Sequence, residues 1–200
     1  MNRTLLLTGF ALLAYLAAKE WEQRPLSRPP GVLAPGAPVQ VEVGNSVFGV
    51  DDYILTRRAR FDITARVLSI EPYSIGREAD LSPLDLALGW GVMSDTALLD
   101  LLKISQSGRW YHWRYKNALP VPEQQVIASS SNMHMIPARK SIERALKKLR
   151  VGDVVTLEGY LVDADHPSGW RWRTSMSRTD SGNGACEIVY VESVSVAAAN

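Results

Sequence analysis

The chain has 200 residues and a mass of 22.1 kDa, which suits one domain with a tail. Apolar residues make up 46% of it, which excludes a largely disordered chain. Its 22 Lys and Arg residues face 21 Asp and Glu residues, and the resulting net charge of +1 disfavours a general nucleic-acid binder. One cysteine excludes a disulfide within the chain, and the three histidines lack the spacing of metal ligands, so we predict no metal and no cofactor.

The N-terminus carries an uncharged, mostly apolar run at residues 4–18, directly after Arg3. A helix needs about 20 apolar residues to cross a bilayer, and this shorter run is closer in length to the core of an export signal. We expect residues 1–24 to be an uncleaved signal-anchor; a cleaved signal and a buried or interfacial helix remain alternatives. The Lys and Arg residues after the run favour a cytoplasmic C-terminal part, whereas a run at the extreme N-terminus favours export. We predict a single-pass inner-membrane protein with its C-terminal domain in the periplasm.

A proline-rich segment follows at residues 25–38. Five prolines with little else to pack predict an extended, semi-rigid linker. The globular domain is therefore expected at residues 39–200.

The domain begins and ends with strand patterns. Apolar and polar residues alternate at 60–67 with the period of two that a half-buried strand shows. Further strands are predicted at residues 39–43, 46–50, 53–70, 109–115, 153–163, 169–178 and 187–196. Of the aromatic-rich strand near the C-terminus, we expect Trp170 and Trp172 on the core face and Arg171 and Arg173 on the wet face.

Helices are predicted in the middle of the chain. Ser82 and Pro83 have the residue types of an N-cap and a first helical position, and Ser94 marks a second start. A third helix is predicted at residues 138–149, where apolar side chains recur at helical spacing. The intervening stretch that contains His134 is expected to be loop-like.

A thiol nucleophile is the sharpest catalytic candidate. Cys186 follows a glycine-rich turn, and His134 would hold the thiol as a thiolate if the fold brings the two together. A buried core cysteine is the alternative. A Ser/His/Asp set drawn from Ser129–Ser131, Ser181, His134 and Asp180 lacks the sequence of a nucleophile elbow, and the glycines at 182 and 184 offer at most an anion-binding turn.

A local basic patch is the main binding candidate. It would form if the wet face of the aromatic-rich strand lay beside the basic face of the third helix. Its candidate residues are Arg171, Arg173, Lys147, Lys148 and Arg144. Such a patch would meet anionic lipid headgroups, a cell-wall polymer or an acidic partner protein, and a plain solvated face is the alternative.

Residues 59–95, 132–138 and 159–187 resemble a group of uncharacterised single-anchor membrane or periplasmic proteins of proteobacteria, from which no activity follows. The stretch VGDVVTLEGYLVD is also similar to small barrels of the oligonucleotide/oligosaccharide-binding (OB) type. We therefore expect an α+β fold, with a curved antiparallel sheet or a small OB-like barrel and two or three helices, preceded by an N-terminal membrane helix. The expected function is a non-enzymatic binding or scaffold module of the cell envelope, whose partner is the membrane and another envelope protein or an acidic polymer rather than nucleic acid. A Cys186/His134 thiol enzyme and a barrel that binds an anionic polymer are the alternatives.

Overall fold

The computed structural model describes residues 23–177 and 186–198. The predicted signal-anchor at 1–24 lies outside these residues except for its last two positions. The glycine-rich run at 179–185, before Cys186, also lies outside them. Within the described ranges, none of the helices has the length and apolar character that crossing a membrane requires.

The fold is mixed α+β and mostly sheet. Residues 23–177 and 186–198 contain ten strands: β1 Val39–Glu42, β2 Val47–Val50, β3 Tyr53–Pro72, β4 Leu84–Gly89, β5 Lys103–Ser107, β6 Trp110–Arg114, β7 Ser130–Pro137, β8 Val154–Asp165, β9 Arg171–Trp172 and β10 Glu187–Val196. The same residues contain four short α-helices, α1 Arg77–Leu81, α2 Thr96–Leu99, α3 Glu123–Ala128 and α4 Lys140–Leu146, and a 3-10 turn at Gly91–Ser94.

Five strands of the curved sheet form a partly closed ring. The pairings run β3–β4–β7–β10–β8 and return to β3, and only the β7–β10 pair among them is parallel. Strand β3 reaches both neighbours because it is 20 residues long and its register shifts near Arg57 and again after Val67. Such bulges bend a strand and increase its twist, which lets one strand belong to two sides of a ring.

The main core fills the inside of this ring. All five ring strands contribute alternate side chains to one apolar cluster, and Ile142 and Leu146 of α4 pack against it. The alternation predicted in β3 is confirmed, since Phe61, Ile63 and Val67 are buried in this cluster. The third predicted helix is confirmed over the span of α4.

The helix predicted after Ser82 and Pro83 is wrong. Leu84–Gly89 is strand β4, and the helix α1 precedes the pair and ends with Ser82 as its C-cap. A proline disfavours helical backbone at the residue before it, and Ser82 is extended with φ −121°. All six residues of β4 are buried, so both faces are covered and no alternation marks it as a strand.

Two further predictions need correction. The helix placed after Ser94 is the short α2, and Asp95 is its N-cap because its carboxylate accepts a hydrogen bond from the Ala97 amide. The stretch around His134 is not a loop but the central strand β7.

The proline-rich segment packs along the domain. The amide of Leu26 donates to the Val151 carbonyl, and the amides of Leu33 and Ala34 lie within hydrogen-bond distance of the Ser94 hydroxyl. Ala34 is 1% exposed. The linker expectation did not include these contacts, which fix the segment from residue 26 onward.

Candidate functional site

A cavity of about 450 Å³ lies on the outer face of the ring, beside β4 and β7. We call it the His134 cavity. Its lining consists of Glu78, Arg109, Trp110, His134, Arg171, Trp172, Arg173 and Cys186. Pockets of this size take small ligands or one segment of a longer ligand.

The strand register builds the floor of the cavity. Asp85 of β4 pairs directly with His134 of β7, and in an antiparallel pair directly opposed side chains share a face. Asn132 lies two residues before His134 and so shares that face. Cys186 immediately precedes β10, whose first residue Glu187 pairs with Met133, and this places the cysteine level with Asn132.

Asp85 is the centre of the polar network on this floor. Its side chain is 0% exposed, and its Oδ1 lies 2.9 Å from His134 Nδ1 and 2.7 Å from Arg109 Nη1. Asn132 Nδ2 donates to the other carboxylate oxygen at 3.4 Å. A buried carboxylate is stable only with such partners, since desolvation strongly disfavours an isolated charge.

Arg109 reaches Asp85 from the turn of the β5–β6 hairpin. Gly108 and Arg109 form the two-residue loop with φ +58° and +71°, the left-handed backbone that a tight hairpin turn requires. A non-glycine residue in this region is uncommon and costs about 1–3 kcal/mol, so the surroundings must hold it there. The Arg109 amide donates to the Tyr73 hydroxyl at 2.8 Å, and its guanidinium carbon lies 3.8 Å from the centre of the Tyr73 ring. Burial raises the pKa of Tyr73, which keeps this phenol neutral.

Cys186 touches the same network. Its Sγ lies 3.8 Å from Asn132 Nδ2, which donates towards it, and 3.8 Å from the Arg109 carbonyl, towards which the thiol donates. Asn132 is itself held in place because its Oδ1 accepts from Gln106 Nε2 at 2.6 Å. The thiol therefore meets an amide donor and a carbonyl acceptor at the cavity wall.

Strand β9 forms the opposite wall. The ring centres of Trp172 and His134 are 4.6 Å apart, so the indole packs against the imidazole. Arg173 binds both carboxylate oxygens of Asp165, at 2.6 and 3.2 Å. Arg171 only approaches Asp165, at 3.7 Å, and 75% of its side chain is exposed. Of the three arginines in the lining, Arg171 has the weakest ion pair in the described part of the chain.

The predicted site residues fall into two groups. Cys186 and His134 line one cavity, and Arg171 and Arg173 line it with them. Arg144, Lys147 and Lys148 lie exposed on or just after α4 and are not part of the lining. Lys147 instead pairs with Glu143 at 2.6 Å. The structure thus divides the predicted basic patch between two surfaces.

The geometry of the described residues does not support the other catalytic and metal candidates. Ser129, Ser130 and Ser131 are not part of the cavity lining. Ser131 hydrogen-bonds Glu187, and the Ser130 hydroxyl donates to the Val126 carbonyl. Asp180, Ser181 and the glycines of the predicted anion-binding turn lie outside the described residues. Across residues 23–177 and 186–198, no three His, Cys, Asp or Glu side chains are grouped to hold a metal ion.

Sequence reasoning missed Asp85 and Arg109 as site residues. The helix predicted after Ser82 and Pro83 puts Asp85 in its first turn, and the strand predicted at 109–115 begins at Arg109. The available signals were a lone charge inside the apolar run LDLALG and the Gly-Arg pair between two strand patterns.

Comparison with family models, with curated proteins and with solved structures finds no match for this chain. The resemblance to anchored proteobacterial proteins therefore stays a prediction. The functional assignment depends on the chemistry of the His134 cavity.

Proposed function

We propose that the domain is an OB-like barrel that binds an acidic oligosaccharide of the cell envelope in the His134 cavity. In chain order the ring strands are β3, β4, β7, β8 and β10. OB barrels bind oligonucleotides and oligosaccharides on the face of their second and third strands, between the loop joining strands one and two and the loop joining strands four and five. The position of the cavity is the observation that carries the proposal. It is lined by His134 of β7, whose paired residue Asp85 lies on β4, and it is flanked by Glu78 of the first loop and β9 of the second.

The lining suits a sugar better than a nucleic-acid backbone. Arg109 and Arg173 are already neutralised by Asp85 and Asp165, so the cavity is not a simple cationic surface. Paired guanidinium and carboxylate groups retain spare hydrogen-bond donors and acceptors for hydroxyl groups, and indole rings supply flat apolar surface. Trp110 and Trp172 provide these rings, and Arg171 provides the cation for an acidic substituent.

The binding test compares an acidic with a neutral sugar chain. Oligogalacturonate and maltooligosaccharide are titrated into the full chain in detergent, and calorimetry and tryptophan fluorescence report binding. We expect oligogalacturonate alone to bind measurably. Arg171→Ala is expected to weaken this binding by about 10-fold, the effect of one charge-assisted contact, without changing Tm. The matched control is Lys148→Ala, an exposed cation outside the cavity.

Equal affinity of Arg171→Ala and wild type for oligogalacturonate would contradict the role of the cavity. So would the absence of binding by either sugar chain. Loss of binding in Lys148→Ala would move the site to the α4 surface.

The location is proposed from the sequence alone. Residues 1–24 anchor the protein in the inner membrane with the domain in the periplasm. A reporter active only in the periplasm, fused to the C-terminus, is expected to be active. An inactive reporter on a well-expressed fusion would reverse the topology.

A further inference from the structure

We infer that the His134 cavity is also a thiol acyl-transfer site, in which Cys186 is the nucleophile, His134 its base and Asp85 the residue that positions the imidazole. This goes beyond the proposed sugar binding and does not depend on it. The substrate class is an ester of a carboxylic acid, because an ester offers an electrophilic carbonyl carbon and a leaving alkoxide.

His134 has the environment of a general base. Only 4% of its side chain is exposed, and its Nδ1 is buried beside the Asp85 carboxylate at 2.9 Å without an aligned hydrogen bond. The nearby carboxylate favours the proton on Nδ1, which leaves the Nε2 lone pair available as an acceptor. His134 lines the cavity that also holds Cys186, so both side chains reach the same space. A buried imidazole at a cavity wall is suited to accept a proton from a group in the cavity.

The neighbours of Cys186 have opposite effects on its ionisation: one stabilises the thiolate and one stabilises the thiol. The Asn132 amide donates towards Sγ and stabilises negative charge there, whereas the Arg109 carbonyl accepts from the thiol and stabilises the protonated form. Arg171, the arginine of the lining with the weakest ion pair among the described residues, adds to the first effect. The charged and titratable groups in the cavity lining are Glu78 on α1, Arg109 on the hairpin turn, His134 on β7, and Arg171 and Arg173 on β9 and just after it. Asp85 on β4 lies buried behind Arg109 and His134.

The proposed reaction balances with water as the only co-reactant. The Cys186 thiol gives its proton to His134 Nε2, and the sulfur attacks the ester carbonyl to form a tetrahedral oxyanion. The oxyanion collapses, the carbon–oxygen bond to the alkoxide breaks, and the alkoxide leaves with the proton from His134. Water, deprotonated by His134, then hydrolyses the thioester, which releases the carboxylic acid and restores the thiol.

The test uses two probes on the full chain in detergent. Iodoacetamide measures thiolate reactivity against pH, and p-nitrophenyl acetate measures acyl transfer by nitrophenol release and by the mass of the acetylated peptide. Cys186 is the only cysteine, so each adduct is unambiguous. We expect the alkylation rate to reach half its maximum well below pH 8.5, the ordinary thiol value, and acetyl transfer to Cys186 to occur in a burst.

The variants separate the roles. His134→Gln is expected to return the alkylation profile to that of an ordinary thiol and to slow acetylation by about 100-fold or more, the usual contribution of a general base. Asp85→Asn is expected to shift the pH profile in the same direction by a smaller amount, since it misplaces the imidazole without removing it. Cys186→Ser abolishes the burst. Lys148→Ala, at an exposed position just after α4 that is not part of the cavity lining, is the control and keeps the wild-type profile.

Two outcomes would overturn the inference. One is an alkylation profile of the ordinary thiol type in wild type that His134→Gln leaves unchanged. The other is nitrophenol release that persists in Cys186→Ser. Sugar binding by Cys186→Ser remains a separate readout, so failure of the thiol chemistry and failure of the proposed binding are distinguishable.

Discussion

The two faces of strands β4 and β7 are both buried, but they are built from different chemistry. The inward face carries Leu84, Leu86 and Leu88 of β4 and the methionines Met133 and Met135 of β7, which belong to the ring core. The outward face carries a separate set of mostly polar side chains, Asp85, Ala87, Asn132 and His134. Burial stabilises the first set through the hydrophobic effect and imposes a desolvation cost on the second.

The difference shows what each face contributes. Apolar side chains on the outward face would stabilise the fold at least as well, because buried ion pairs are often no better than apolar residues of similar volume. Arg109, a residue in a strained backbone conformation, completes the polar set. The polar set borders a cavity. We therefore assign the inward face to stability and the outward face to ligand chemistry.

The largest expected effect breaks the ring itself. Gly159 of β8 lies between β3 and β10, and a Cβ there would overlap the Tyr190 carbonyl oxygen. Gly159→Ala forces the two backbones apart, so we expect a loss of more than about 4 kcal/mol in unfolding free energy, or no folded protein. Gly44→Ala is the matched control, because nothing lies within 4 Å of a Cβ at that position. Urea unfolding measures both, and a folded Gly159→Ala with wild-type stability would contradict the ring closure.

The next largest effect comes from breaking the polar network at one point. Asp85→Ala leaves the Arg109 guanidinium and the His134 imidazole without their shared carboxylate. We expect a loss of about 3–5 kcal/mol, the usual result of removing one partner of a buried charge pair. Adding Arg109→Ala in the same chain is expected to restore part of that loss, which a double-mutant cycle by urea unfolding measures. A loss below about 1 kcal/mol for Asp85→Ala alone would show that this carboxylate is not needed by its neighbours.

A third prediction concerns an apolar cluster outside the ring. Tyr111 of β6 packs against this cluster, and burial raises its pKa to about 12. An unfolded tyrosine ionises near pH 10, so the folded state holds the proton more tightly between pH 10 and 12. Its stabilising contribution is complete below pH 10 and is lost as the pH rises to 12, by about 2–3 kcal/mol. Tyr111→Phe is expected to remove this part of the alkaline loss; identical alkaline curves for variant and wild type would contradict the assignment.

The sequence predicted most of the elements whose two faces differ. Alternation identified β3, helical periodicity identified α4, and strand patterns identified β8 and β10. It overestimated the strand at 169–178, of whose described residues only Arg171–Trp172 form a strand, and it missed β5, whose burial alternates. It failed at β4 and β7, because strands covered on both faces lack a contrasting pattern. In the local sequence, Pro83 also looked like a helix start, although tertiary pairing of β4 with β3 and β7 decides the structure there.

The residues of the candidate site also fall into two classes, those that the local sequence identifies and those that only long-range pairing places in the site. Cys186 and His134 were identified from residue chemistry alone, since few side chains can act as nucleophile and base. Asp85 and Arg109 become site residues only through the register of β4 with β7 and through the hairpin turn, which are long-range features. The predicted basic patch joined residues on β9 and α4, and local patterns carry no information on which surfaces meet.

The smallest stability effect is expected at the cavity rim. Arg171 is largely exposed, so Arg171→Ala is expected to change the unfolding free energy by less than about 0.5 kcal/mol, as for most surface substitutions. Because the fold keeps its stability, weaker binding of the acidic sugar by Arg171→Ala reports a change in the ligand site alone. Thermal unfolding, monitored by circular dichroism, measures the change in stability of Arg171→Ala. A Tm loss of many degrees would show that Arg171 is a structural residue.

The most direct test of the assignment of the two faces is the unfolding free energy of an apolar replacement. The variant combines Asp85→Leu, Asn132→Leu, His134→Leu and Arg109→Met, which exchanges the polar network for apolar side chains in one step. If the outward face is present for ligand chemistry, this variant unfolds in urea with a free energy equal to or above that of the wild type. A loss of several kcal/mol would contradict the account and make the polar network part of the fold's stability.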